Sequence, residues 1–233
     1  MKVHILSWNI WFGTHFDKVT DFLRRSRADI IGLQEATQTP EGKNNIGEPL
    51  AKKLGYSYVY ATGMDLRKYG KPLVMGNAVL SKYPIVGHKT HFLAKTDSRV
   101  AVQADIQVSN TQLHVLSTHL IHTHQQPSII QEEQAKDLIS VMPKNQAIVM
   151  GDFNATPDSK TIQLLNSSLR NADNDLTQPT WSTVPAECEV CLPKGLDIRL
   201  DYIFTTHDIQ PKKFTVEDSD GSDHLPISLD IEV

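Results

Sequence analysis

The sequence predicts an α/β sandwich, on three observations. Strand-length apolar runs alternate along the chain with stretches at helical spacing. Four strand candidates crowd between residues 74 and 117, some separated only by short polar turns such as Ser109-Asn110. Such close spacing favours antiparallel neighbours, because parallel strands need long crossovers. Strands also precede and follow the helices, an order that suits a layered α/β fold.

Each element has its own signal. Val3–Trp8 reads as a strand, and Phe16, Val19, Phe22 and Leu23 recur at helical spacing. Asp29–Gln34 is a second strand, 48–54 a short helix stopped by Gly55, and Tyr56–Ala61 a weakly alternating run. The segment GMDLRKYGKPL is read as a loop carrying Arg67, Lys68 and Lys71. Val74–Leu80, Ile85–Leu93, Ala101–Val108 and Leu113–Ser117 are the four closely spaced strands. Residues 128–142 give the clearest helix, with Ser128 as cap and Ile129, Ala135, Leu138, Ile139 and Met142 as its apolar stripe. Ala147–Met150 is a short buried strand, and Asp158 or Ser159 caps a helix running to about Leu165. Residues 166–198 read as mostly irregular, and Leu200–Thr205 and Leu225–Val233 as the last strands.

Composition narrows the function classes. The chain has 233 residues, 39% of them hydrophobic, with no repeat and no Pro/Gly-rich linker, so residues 1–233 are expected to form one domain. The net charge of −4 argues against a life on non-specific duplex DNA, which normally demands a basic face. The start, MKVHILSWNIWFG, lacks a signal-peptide core, and no run approaches a membrane span, so a cytoplasmic location is the expectation. Cys188 and Cys191 in ECEVC are read first as plain reduced thiols, with a disulfide or a metal role as the alternative, although no nearby histidine completes a four-ligand zinc site.

The informative polar residues share one placement. Asn9 follows the first strand, Glu35 closes DIIGLQE, and His119 closes LHVLSTH. Asp152 and Asn154 follow AIVM, Asp201 lies in RLDYIF, and Asp223 and His224 sit in GSDHLPISL. Taken singly, each has a plain structural explanation, such as an Asx-turn for Asp152 or an ion pair with Arg199 for Asp201. Brought together at one rim, they would supply the carboxylates, amides and imidazoles that a hard divalent cation and a phosphate require.

The blocks SWNIW, IIGLQE, GNAVLSKYPI, LSTHL, VMGDFNATP, RLDYIF and SDHLPI occur in this order between residues 7 and 227. They resemble the signature blocks of the endonuclease/exonuclease/phosphatase superfamily, the group that includes deoxyribonuclease I. The resemblance implies a four-layer α-β-β-α sandwich of two mixed β-sheets flanked by helices. It implies a Mg²⁺- or Mn²⁺-dependent hydrolase of phosphate esters, most simply a phosphodiesterase. Its alternatives are a nuclease acting on DNA or RNA ends and a non-catalytic binding member of the same fold. The substrate would be a small molecule, a lipid headgroup or a nucleic-acid end, and the protein is expected to be a monomer.

The resemblance also implies roles. Glu35 matches the main metal-binding glutamate, Asn9 the amide beside it, and Asp223 a metal-side carboxylate. Asp152 matches the aspartate that orients or deprotonates the attacking water, with Asn154 fixing that water or a phosphate oxygen. On an extended backbone these two residues would project to the same side. His224 matches the histidine that contacts phosphate, Asp201 its carboxylate partner, and His119 the second histidine of the nuclease and sphingomyelinase branches.

Two departures separate the chain from the exonuclease III class: Trp11 stands where that class has an acid, and His119 where it has no histidine. The glutamate that partners the second histidine in deoxyribonuclease I has no counterpart in DSRVAVQADI, which offers Arg99, a candidate for facing the phosphate. Trp181 is a candidate for stacking on a substrate group. His122 and His124 complete a His-x-x-His-x-His array with His119, and are read as lining the cleft or a solvated loop.

Overall fold

The computed structural model describes residues 1–38, 45–94, 99–184 and 194–233. Its elements run β1 Lys2–Asn9, α1 Phe16–Ser26, β2 Ile30–Gln38, α2 Gly47–Leu54, β3 Ser57–Asp65, β4 Val74–Ser81, β5 Ile85–Leu93 and β6 Arg99–Val108. They continue as β7 Thr111–His119, α3 Ile129–Val141, β8 Ala147–Asp152, α4 Lys160–Ser168, β9 Arg170–Asn171, β10 Asp201–Thr205, β11 Pro211–Val216 and β12 Ile227–Glu232. Cys188 and Cys191 lie outside the described residues.

The strands form two six-stranded sheets, ordered β11-β12-β1-β2-β4-β3 and β5-β6-β7-β8-β10-β9. Both are mixed, because β1 pairs β2 and β7 pairs β8 in parallel while the other pairs run antiparallel. Side-chain alternation builds the layers. In β1, Val3 and Ile5 pack between the sheets, while Leu6 and Trp8 face α1 and α2. In β8, Ile148 and Met150 enter the same inter-sheet core, while Ala147 and Val149 meet Leu138 of α3 and Ile162 and Leu165 of α4. The result is the expected four-layer α-β-β-α sandwich.

Local signals set most boundaries. Ser128 accepts from the Gln131 N–H at the start of α3, and Ser159, not Asp158, caps α4 through the Ile162 N–H. The expected 63–73 loop begins three residues later, because β3 continues to Asp65 before a single 3₁₀ turn over Leu66–Tyr69. Strand β11 was not anticipated. It is an edge strand opening on Pro211 and carrying Lys212 and Lys213, residues that keep an edge from pairing further and blur its alternation.

Gly151 decides how closely β7 and β8 approach. A Cβ placed there would stand 1.9 Å from the Thr118 carbonyl oxygen. Gly151→Ala is therefore expected to destabilise the protein by about 3 kcal/mol or more, measured by denaturant unfolding. An unchanged midpoint would show that the two strands can part without cost.

Candidate active site

Three adjacent strands of the second sheet end level with one another. In the register, His119 of β7 lies beside Asp152 of β8, and Asp152 beside Asp201 of β10. All three continue the inward-facing rows that begin with Val115, Ile148 or Met150, and Ile203. His119 Nε2 is 3.3 Å from Asp152 Oδ2.

The facing sheet contributes Asn9 and Glu35. Asn9 ends the inward row of β1 and donates from Nδ2 to Asp152 Oδ2 at 3.1 Å, joining the two sheets. Glu35 reaches the site through a bulge. Leu33 pairs with Ala78 and Ala36 with Gly76, so β2 carries one extra residue, and Glu35 takes φ +55°. Simple alternation would have put Glu35 on the helix-facing side with Ile31 and Leu33. The extra residue hands that side to Ala36 and frees Glu35 for the pocket.

The loop before β12 brings Asp223 and His224. Trp8 Nε1 donates to the His224 carbonyl at 2.9 Å, and Ser222 Oγ donates to the Asn9 carbonyl at 2.7 Å. The His224 Nδ1 atom lies 2.9 Å from Asp201 Oδ2, and its Nε2 atom 3.6 Å from Asp152 Oδ2. Asp201 thus bonds His224 through its carboxylate, while Arg199 donates to the Asp201 backbone carbonyl and to Asp173. Trp181 is buried, 7% exposed, and donates from Nε1 to Asp223 Oδ2 at 3.1 Å.

Asn154 does not continue the strand. Its φ is +50°, and its N–H is held by Asp152 Oδ1 at 2.8 Å, an Asx-turn. The expected same-side projection from extended backbone therefore gives way to a tighter hook. Asn154 Nδ2 donates to the Leu120 carbonyl (3.1 Å) and to His119 Nε2 (2.9 Å). With both amide protons so engaged, Oδ1 is the acceptor for His122 Nδ1–H at 2.8 Å. The three histidines do not converge on one point, since Asn154 stands between His119 and His122. His122 is the residue whose part the sequence left open. Gln131 of α3 was not anticipated at all, and it donates to the carbonyls of Phe153 and Asn154, holding this hook from behind.

The charges are tuned against one another. Burial alone would strip the His224 proton, but the carboxylates of Asp201, Asp152 and Asp223 together hold its pKa well above the usual imidazole range. For His119 the balance is the reverse: burial first, then the Arg99 and His224 charges, push its pKa well down. His119 is therefore neutral, consistent with Nε2 accepting from Asn154. Burial raises Asp152 to about 6, with His224 opposing and Asp201 reinforcing the rise. Burial and the neighbouring Asp223 raise Glu35 to about 7.

Two donor sets are candidates for a cation. Asp152, Asp201 and His224 offer atoms within 4.8 Å of one another. In that set, however, Asp201 and His224 already satisfy each other, and Asp152 accepts from Asn9 and Asn154. Glu35 is different: its Oε2 is buried with no hydrogen-bond partner among the described residues, and the repulsion of Asp223 and Asp152 outweighs the attraction of His224. A buried carboxylate in want of a counter-charge, beside an amide and a second carboxylate, fits a hard divalent cation.

Glu35, His119, Asp152, Asn154, Asp223 and His224 line one pocket of about 220 Å³, together with Phe12, Met64, Leu66, Met75, Arg99, His122 and Trp181. Larger depressions exist, such as one of about 540 Å³ at Lys18 and Arg24, but it is lined by surface side chains that include the Lys18–Asp220 and Arg24–Asp21 ion pairs. A family model described as "Endonuclease/Exonuclease/phosphatase family" matches residues 6–224. The chain belongs to the endonuclease/exonuclease/phosphatase family. The family comprises hydrolases acting on phosphate esters.

Solved structures share the fold of this family member. An endonuclease/exonuclease/phosphatase from Beutenbergia cavernae DSM 12333 superposes with a TM-score of 0.80 at 20% identity, over 100% of this chain and 72% of that one. The human Nocturnin catalytic domain with bound sulfate anion gives 0.72 at 19% identity, over 99% and 93%. A humanized D. rerio TDP2 gives 0.71 at 19% identity, over 100% and 99%. A search of curated proteins found no match. Among the described residues, no helix is long and apolar enough to cross a membrane.

Proposed function

We propose that the chain is a Mg²⁺- or Mn²⁺-dependent phosphodiesterase. The observation that carries this reading is the meeting of Glu35, Asp152, Asp223 and His224 in one pocket, with the Glu35 Oε2 atom buried and unmatched. Glu35, Asn9 and Asp223 would hold the cation, which when bound neutralises phosphate charge and polarises the ester.

The remaining groups divide the proton work. Asp152, with its raised pKa, accepts the proton of the attacking water through Oδ2. His224, held as an imidazolium by Asp201, presents Nε2–H to a phosphate oxygen and stabilises the charge that builds in the transition state. Asn154 fixes the geometry between Asp152 and His119. Neutral His119, whose Nε2 accepts from Asn154, holds that amide in place and is not the acid. Arg99 and Trp181 border the substrate.

The test is hydrolysis of bis(p-nitrophenyl) phosphate. Turnover is expected only with Mg²⁺ or Mn²⁺, lost in EDTA and restored by excess cation. Turnover indifferent to EDTA would overturn the reading.

His122 acts as a positioning residue, holding the Asn154 amide the right way round. His122→Leu is expected to lower kcat roughly tenfold, about the worth of one hydrogen bond. His122→Asn, whose amide nitrogen can take the place of Nδ1, should recover most of it with an unchanged pH profile. Equal loss in both variants would count against this role.

A further inference from the structure

One wall of the pocket has no task in the chemistry above. It is apolar, formed by Phe12, Met64, Leu66 and Met75. Met64 of β3 and Met75 of β4 are directly paired, after a bulge that leaves one extra residue, Gly63, between the Thr62–Gly76 and Met64–Met75 pairs. Gly76 permits this, since a Cβ there would stand 2.0 Å from the Ala61 carbonyl oxygen. The depression along Met64 and Met75 runs up to His119, so the methionine wall adjoins the reacting centre.

Resting on the phosphodiesterase reading, we infer that the ester group carried by the substrate phosphate is compact and apolar or aromatic, and lodges against Met64 and Met75. Three features support it. Apolar surface in a pocket with a charged floor gains most by meeting apolar ligand surface. Thioethers pack flexibly and favour aromatic rings. The space, about 220 Å³, has room for a phosphoryl group and one small substituent against that wall. Beyond Arg99, which borders the phosphoryl group, Arg67 and Lys71 give little support to a polyphosphate or an extended nucleic-acid strand. Arg67 is bound to Asp65 at 2.7 Å, and the Lys71 Nζ atom sits 4.6 Å from the centre of the Phe12 ring.

Calorimetry of the Mn²⁺-loaded protein with methyl-, 2,3-dihydroxypropyl- and phenylphosphonate tests this without requiring turnover. Phenylphosphonate is expected to bind about tenfold or more tightly than the other two. Met64→Gln, at a partly buried position on the pocket wall, should shrink that ratio toward one. Affinities within twofold of each other, a preference for the dihydroxypropyl compound, or a ratio untouched by Met64→Gln would overturn the inference. Hydrolysis of bis(p-nitrophenyl) phosphate is read separately: turnover with no phenyl preference sinks the substrate class alone, and a phenyl preference without turnover sinks the hydrolase reading alone.

Discussion

Asp152→Asn is expected to lower kcat about 10³-fold, the range for losing a general base, while KM and the unfolding midpoint change little. The two halves of this result follow from the same geometry. Asp152 Oδ2 is the atom on which Asn9, His119 and His224 converge, so an amide there cannot take the water's proton. The fold, by contrast, gains little from the charge, because burial already raises the Asp152 pKa to about 6. An asparagine keeps the Oδ1 contact to the Asn154 N–H and sets one amide against the Asn9 Nδ2 donor. The net stability change should stay within about 1 kcal/mol. Steady-state kinetics and urea unfolding check both halves. A variant within tenfold of wild-type kcat would remove Asp152 from the chemistry.

Glu35→Gln should abolish cation binding and, in the metal-free protein, raise stability at pH 7.5. Glu35 moves from an ordinary value of 4.5 to about 7 in the folded state, so between these pH values the native protein holds a proton that the unfolded chain has released. Stability from this group therefore falls as pH rises from 4.5 to 7, by on the order of 3 kcal/mol. Asp152 and, above about pH 6.5, His224, both raised, act in the same direction, and His119 and His122, both lowered, act in the opposite one. The wild-type profile minus that of Glu35→Gln isolates the Glu35 part. That difference should be near zero at pH 4.5 and largest at pH 7.5. Saturating Mg²⁺ should stabilise wild type there, by about 2.7 kcal/mol at a hundredfold excess over Kd, and leave Glu35→Gln unmoved. A flat difference profile would mean that Glu35 already has a counter-charge.

Much of the site was legible because its strands announce their ends. LHVLSTH, AIVMGD and RLDYIF are apolar runs closed or opened by a polar group, and the register sets His119, Asp152 and Asp201 side by side. The ordered blocks then supplied the four-layer fold that periodicity alone left as a sandwich. Among the features that were not legible, three share one cause: a local pattern gives way to a tertiary constraint. Glu35 in IIGLQE looks like one more alternating position, and only pairing with β4 reveals the extra residue that turns it inward. Asn154 looks extended, yet the Asp152 carboxylate hooks its N–H back. His122 sits in a polar loop with nothing in the sequence to connect it to Asn154, thirty-two residues away. Strand β11 was hidden by the lysines that protect its edge.

The assignment of the cation to Glu35 rather than to the Asp152–Asp201–His224 group is tested most directly by anomalous diffraction from crystals soaked in Mn²⁺. The expected peak lies against the Glu35 carboxylate, within reach of Asn9 and Asp223, with His224 still bonded to Asp201. A peak centred among Asp152, Asp201 and His224, with Glu35 left bare, would contradict it.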